Sequence, residues 1–222
     1  MSVRLYPGHW GVWAVAGLVL CTAALAFVIG RATESGDAGE PTVATAADTG
    51  FSRDMAAHHQ QAVEMSFLVR DNTTDDEVRR LAFDVINTQA NQRGMMLGWL
   101  DMWEAPKVTG EGAMSWMAGH SAGSGMGQTE MPGMATRAQL EQLRKAEGRA
   151  AEVLYLQLMI PHHQGGVKMA EAAVKQAKNP QVRALAEGIV RAQQSEISLM
   201  RDMLAQRGAK PVVAASPSPG HH

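Results

Sequence analysis

The chain has 222 residues, with 20 Lys and Arg against 22 Asp and Glu, a formal net charge of −2. That balance, with no long run of one sign, argues against nucleic-acid binding, which needs a basic face to neutralise phosphates. A single cysteine, Cys21, excludes an internal disulfide and any Cys-cluster zinc or iron–sulfur site, while 15 methionines and 8 histidines stand out against 2 tyrosines and 4 phenylalanines.

From Trp10 to Ile29 the chain carries no charged residue, a length that crosses a hydrocarbon core at about 1.5 Å per residue. Arg4 precedes this stretch, and Arg31, Glu34 and Asp37 follow it. Residues 1–30 are therefore expected to be a single-pass transmembrane anchor with the remainder outside the cytoplasm. A cleaved signal peptide, ending near Ala24-Leu25-Ala26, is the alternative, and it would leave a secreted protein. Residues 31–49 are small, polar and aperiodic, a flexible linker. The Pro-containing tail, 207–222, is expected to be disordered.

Between linker and tail the chain repeats itself. At an offset of 104 without gaps, residues 51–100 align with 155–204, and 13 of the 50 positions are identical. The matches fall on chemistry-bearing and apolar positions: Met55 on Met159, His58-His59-Gln60 on His162-His163-Gln164, Met65 on Met169, Gln89 on Gln193, Met96 on Met200. This is a duplicated unit. Within the first copy, Phe51, Met55, His58, Ala62, Met65 and Val69 step at helical spacing. Thr74-Asp75-Asp76-Glu77 offers a capping box for a second helix with core positions Val78, Leu81, Val85, Gln92 and Trp99. Asn179-Pro180 gives the same punctuation in the second copy. No alternating β-branched run suggests a strand. The fold expected for residues 50–206 is all-α, an antiparallel four-helix bundle made of two duplicated helical hairpins. A Met/Gly-rich insert at 104–135 separates the copies, followed by a short helix capped at Thr136–Gln139. Pro161, inside the third bundle helix, is expected to kink it.

On a helical wheel His58 and His59 flank the inward direction of Met55, and His162 and His163 do the same around Met159. Folding each hairpin at its turn brings Gln89 level with the first pair and Gln193 with the second. A buried amide there could fix an imidazole tautomer, as metal sites require. Glu196, opposite Gln92 in the other copy, is the one carboxylate level with the site. Iron bundles need about four inward carboxylates and Glu-x-x-His, which this sequence lacks, whereas thioethers and imidazoles suit copper, with silver or zinc as further candidates. The expected metal ligands are His58, His59, His162 and His163, aided by Met55, Met65, Met159 and Met169. Gln89, Gln193 and Glu196 are their expected hydrogen-bonding partners. The insert adds Met114, Met117, His120, Met126, Met131 and Met134, either an auxiliary soft-metal catch or an apolar flap. No catalytic residue is indicated, and the competing reading is a structural module with duplicated buried His-Gln packing and no metal.

The doubled motif, Met55-x-x-His58-His59-x-x-x-Val63-x-Met65 and Met159-Ile160-Pro161-His162-His163-Gln164-Gly165-Gly166-Val167-x-Met169, resembles the exported bacterial proteins grouped as domain of unknown function 305. So does Met131-Pro132-Gly133-Met134 between the copies. The resemblance covers about residues 50–206 and implies a ferritin-like bundle, with periplasmic copper binding known among some members. Ala151-Glu152 and Gly165-Gly166 depart from the usual pattern without removing a histidine.

Overall fold

The computed structural model describes residues 43–110, 112–117 and 131–211. The apolar N-terminal run, Cys21, His120, Met126 and the His221-His222 tail lie outside them. Among the described residues, no helix is long and apolar enough to cross a membrane.

Five helices follow in order: α1 (Ala46–Asn72), α2 (Asp76–Met102), α3 (Arg137–Lys145), α4 (Gly148–Gln176) and α5 (Pro180–Gln206). No strand occurs among the described residues. The α1–α2 and α4–α5 hairpins are joined through α1 against α4, and short α3 packs on both. The first hairpin starts earlier than the sequence suggested: Thr45 caps α1 in a reciprocal box with Asp48, which reclaims the end of the expected linker for the bundle. At α2 the cap is Asp75, whose side chain accepts the Val78 N–H at 2.9 Å, one residue later than the Thr74 box implied. Asn179 caps α5 ahead of Pro180, and Thr136 caps α3 with Gln139, both at the expected positions. Helix α4 is continuous across Pro161.

Each hairpin turn is held by an acidic residue near the start of the other hairpin. The buried Asp48 carboxylate accepts the N–H groups of Lys178 and Asn179 at 3.0 and 2.9 Å. Its repeat counterpart, Glu152, accepts the Thr73 hydroxyl at 2.7 Å, which in turn accepts the Asp75 N–H at 3.0 Å. Glu152 is also paired with Arg207, which reaches Asp75. These contacts put the start of α1 beside the end of α4, so the two run antiparallel.

The core divides into two apolar clusters. One gathers Met65, Met159, Met200, Tyr155 and Leu204, the other Phe51, Met55, Met96, Met169 and Ile189. On α2 the inward line runs through Val78, Leu81, Val85, Gln89, Met96 and Leu100. Gln92 and Trp99, expected in the core, are half-buried instead. A strict seven-residue step drifts about 20° per heptad on a 3.6-residue helix, which carried the expected stripe off the buried face.

Candidate metal centre

All four paired histidines are fully buried at the middle of α1 and α4. The His58 and His162 rings face each other with centroids 3.8 Å apart and planes at 32°. Three of the four imidazoles are tethered through Nε2. His59 Nε2 lies 2.8 Å from Gln92 Oε1, His163 Nε2 lies 2.6 Å from Glu196 Oε2, and His58 Nε2 lies 3.2 Å from the Pro132 carbonyl oxygen. Each partner is an acceptor, so each Nε2 carries a proton, and a neutral ring tethered in this way keeps a free lone pair on Nδ1. No side chain pairs with either nitrogen of His162, whose ring lies beside the backbone of His58.

The tethering partners correspond through the repeat: Glu196 is an expected one, whereas the first-copy partner lies one turn from the expected Gln89. Glu196 holds an imidazole, and Gln92, not Gln89, is its equivalent in the first copy. Gln89 and Gln193 are buried but make no hydrogen bond, so they do not orient the histidines in this structure. Gln193 instead lies against Gly166, where a Cβ would come within 2.4 Å of its Oε1.

Burial controls the protonation of these rings. Loss of hydration pulls His58 down to about 4, against the opposing hydrogen bond to Pro132 and helped by His163 nearby. Burial pulls His59 to about 3, partly offset by Gln92. His162 is lowered in the same way, with the other three histidines adding to the effect. At neutral pH His58, His59 and His162 are therefore neutral, with lone pairs available as donors.

The insert is folded onto α1 on either side of His58. The Asp54 carboxylate accepts the Met114 N–H at 2.7 Å and Trp116 Nε1–H at 2.9 Å. Gln61 pairs with both the N–H and the carbonyl of Ala135, at 2.7 and 2.9 Å. Between these anchors Pro132-Gly133 runs so close to α4 that a Cβ on Gly133, whose φ is +80°, would lie 2.1 Å from the Pro161 carbonyl oxygen, and one on Gly165 would lie 1.8 Å from that of Pro132. Met114 is buried, and Met117 and Met131 pack against the same cluster as Met55. Met134 is half-buried. The described part of the insert is thus packed as a flap.

Met55, Met65, Met159 and Met169 are all fully buried, and so are Met96 and Met200. These last two were absent from the expected ligand set, although the repeat alignment already matched them to each other. Among the described residues, no three His, Cys, Asp or Glu side chains are grouped so as to hold a metal ion. The donor chemistry nonetheless fits a soft cation, with neutral imidazoles and thioethers together in a site whose buried nitrogens lack partners.

The arrangement defines an all-helical bundle with a duplicated, buried His-Met layer. The chain belongs to the family described as domain of unknown function (DUF305), which it matches over residues 48–204. It is 53% identical to a DUF305 protein of Streptomyces coelicolor, named as a secreted protein, with a TM-score of 0.68 over 79% of this chain and 98% of that one. CopM in its Cu(II)-bound form is 26% identical with a TM-score of 0.55, covering 72% of this chain and 96% of that one. CopM is also known in Cu(I)-bound and silver-bound forms. The uncharacterized protein L153 of Acanthamoeba polyphaga mimivirus is 40% identical over 53 residues, which span 24% of this chain and 35% of that relative.

Proposed function

We propose that the protein binds copper, with silver as a competing cargo, outside the cytoplasm and either sequesters the ion or hands it on. The observation that carries this reading is the distribution of unsatisfied groups. Among the described residues, the nine buried side-chain nitrogen and oxygen atoms without a partner all belong to His58, His59, Gln89, His162, His163 and Gln193. Leaving a buried polar atom unpaired costs about 1–3 kcal/mol, so a layer of nine is expensive unless something occupies it. Metal ligation by Nδ1 lone pairs would relieve the four imidazole Nδ1 atoms among them, and the Nε2 tethers to Gln92, Glu196 and Pro132 hold three of the rings in the tautomer that ligation needs. The Cu(II)-bound form of CopM supports copper as the cargo. The Streptomyces relative named as a secreted protein supports an extracytoplasmic location, and the apolar run 10–29 would supply a membrane anchor.

The ligand set is His58, His59, His162 and His163, with Met55, Met65, Met159 and Met169 contributing thioethers. Equilibrium dialysis of the metal-free chain against Cu(I) and Cu(II) tests this. Replacing all four histidines with Ala should abolish high-affinity uptake, and wild-type protein should melt at higher temperature with metal than after chelation, by mass action. Equal uptake by the two proteins would remove the histidines from the site. A melting temperature indifferent to chelator would favour polar packing without metal.

A further inference from the structure

The methionines do not surround the histidines evenly. Met55 stands one turn before His58, towards the start of α1. Met96 stands one turn beyond Gln92 and Met169 two turns beyond His162, and the antiparallel helices bring both to that same end. All three belong to the cluster around Phe51. Met159, Met200 and Met65, their counterparts through the repeat, gather at the opposite end in the cluster around Tyr155. The unpartnered glutamines divide in the same way. Gln193 lies against Gly166, beyond His163 on the Met55 side, and Gln89 lies a turn before Gln92, on the Met159 side. The result is two image-related sets, one holding Met55, Met96, Met169, His58 and Gln193, the other Met159, Met200, Met65, His162 and Gln89.

Ten residues separate Met55 from Met65 on one helix, about 15 Å along the axis, too far for both thioethers to reach a single ion. We infer that the bundle holds two soft monovalent cations, one on each side of the facing His58 and His162 rings, each taken by three thioethers and one imidazole. This rests on the metal-binding reading, adds its stoichiometry and ligand partition, and narrows the imidazole ligands to His58 and His162, leaving His59 and His163 beside them on their tethers to Gln92 and Glu196. It also accounts for the absence of any three grouped His, Cys, Asp or Glu side chains among the described residues, because each set contributes one imidazole and is otherwise sulfur and amide. The two positions are inequivalent. His58 is already oriented by the Pro132 carbonyl of the insert, while no insert residue or neighbouring side chain orients His162, so the position on the His58 side fills first.

Native mass spectrometry of the purified chain titrated with Ag(I), and with Cu(I) under reducing, oxygen-free conditions, counts the ions. Wild type should take two. The M55L/M96L/M169L variant should take one, as should M65L/M159L/M200L, and the first of these should lose the tighter ion. Leucine conserves volume at these buried sites, and circular dichroism confirms the fold. X-ray absorption on metal-loaded wild type is the check that needs no variant, with a sulfur-dominated shell expected at both loadings. Both ions lost in either triple variant, two ions retained in either, or a shell of nitrogen alone would overturn the two-site arrangement while leaving metal binding intact. No bound ion in wild type would overturn the functional reading itself.

Discussion

At the scale of single residues, the site depends on small side chains as much as on ligands. Gly165 and Gly133 let the Pro132 carbonyl reach His58, because a Cβ on either would meet backbone of the other segment. Gly165→Ala is therefore expected to displace the strap, costing about 1–3 kcal/mol as an overpacking substitution, read as a lower denaturant midpoint. Gly94, with nothing within 4 Å of a built Cβ, is the matched control, and Gly94→Ala on the exposed face of α2 should instead stabilise slightly. The histidines were legible in the sequence because duplication copied them in register. Their tethers were less so. Folding the hairpin at its turn brings Gln89 level with the first histidine pair, but the bond goes to Gln92, whose carbonyl oxygen reaches His59. A one-turn error is what a level argument allows when side-chain direction is left out.

Helix ends repay the same attention at the scale of elements. Asp48 accepts from Thr45 on its own helix and from two backbone N–H groups of the opposite turn. Asp48→Ala should thus cost on the order of 3 kcal/mol, since hydrogen bonds to a charged group and buried donors are lost together. Asn179→Ala, which removes a cap alone, should cost about 1 kcal/mol. Urea unfolding of the two variants separates these, and equal losses would mean that the Asp48 contact across hairpins carries no weight. Thr45-x-x-Asp48 was readable as a capping box but was assigned to the linker, because the residues before it are small and polar. The contact from Asp48 to residue 179 was not readable, since it joins segments far apart in sequence. Stripe periodicity placed α1 well and lost its phase on α2 only after several turns, which is why Met96 was passed over for Trp99.

Taken as a whole, the molecule buries its four paired histidines at its centre, and this sets its response to acid. His58 and His59 have folded-state values near 4 and 3 against an ordinary 6.5. Facing them are His162, His163 and Glu196, while Gln92 and the Pro132 carbonyl are neutral. Between pH 6.5 and about 3 the unfolded chain binds more protons than the folded one, so stability is complete above 6.5 and is lost as pH falls through that window. Melting temperatures of the metal-free protein measured from pH 7.5 to 4 should decline steadily below 6.5, and a flat profile would contradict neutral buried rings. The reciprocal clasp, Asp48 on the turn at 178–179 and Glu152 on the turn at 73–75, has a consequence for descent. Two identical hairpins, each closing the other's turn, would form a two-fold homodimer with every clasp satisfied. Fusing two copies of such a gene changes none of these contacts and requires only a connection between the end of α2 and the start of α4. Once both copies share a chain they can diverge independently, as Asp48 and Glu152, or Gln92 and Glu196, have done. The strap over His58 is the clearest product of that freedom, since a connection present once can cover only one of two equivalent positions.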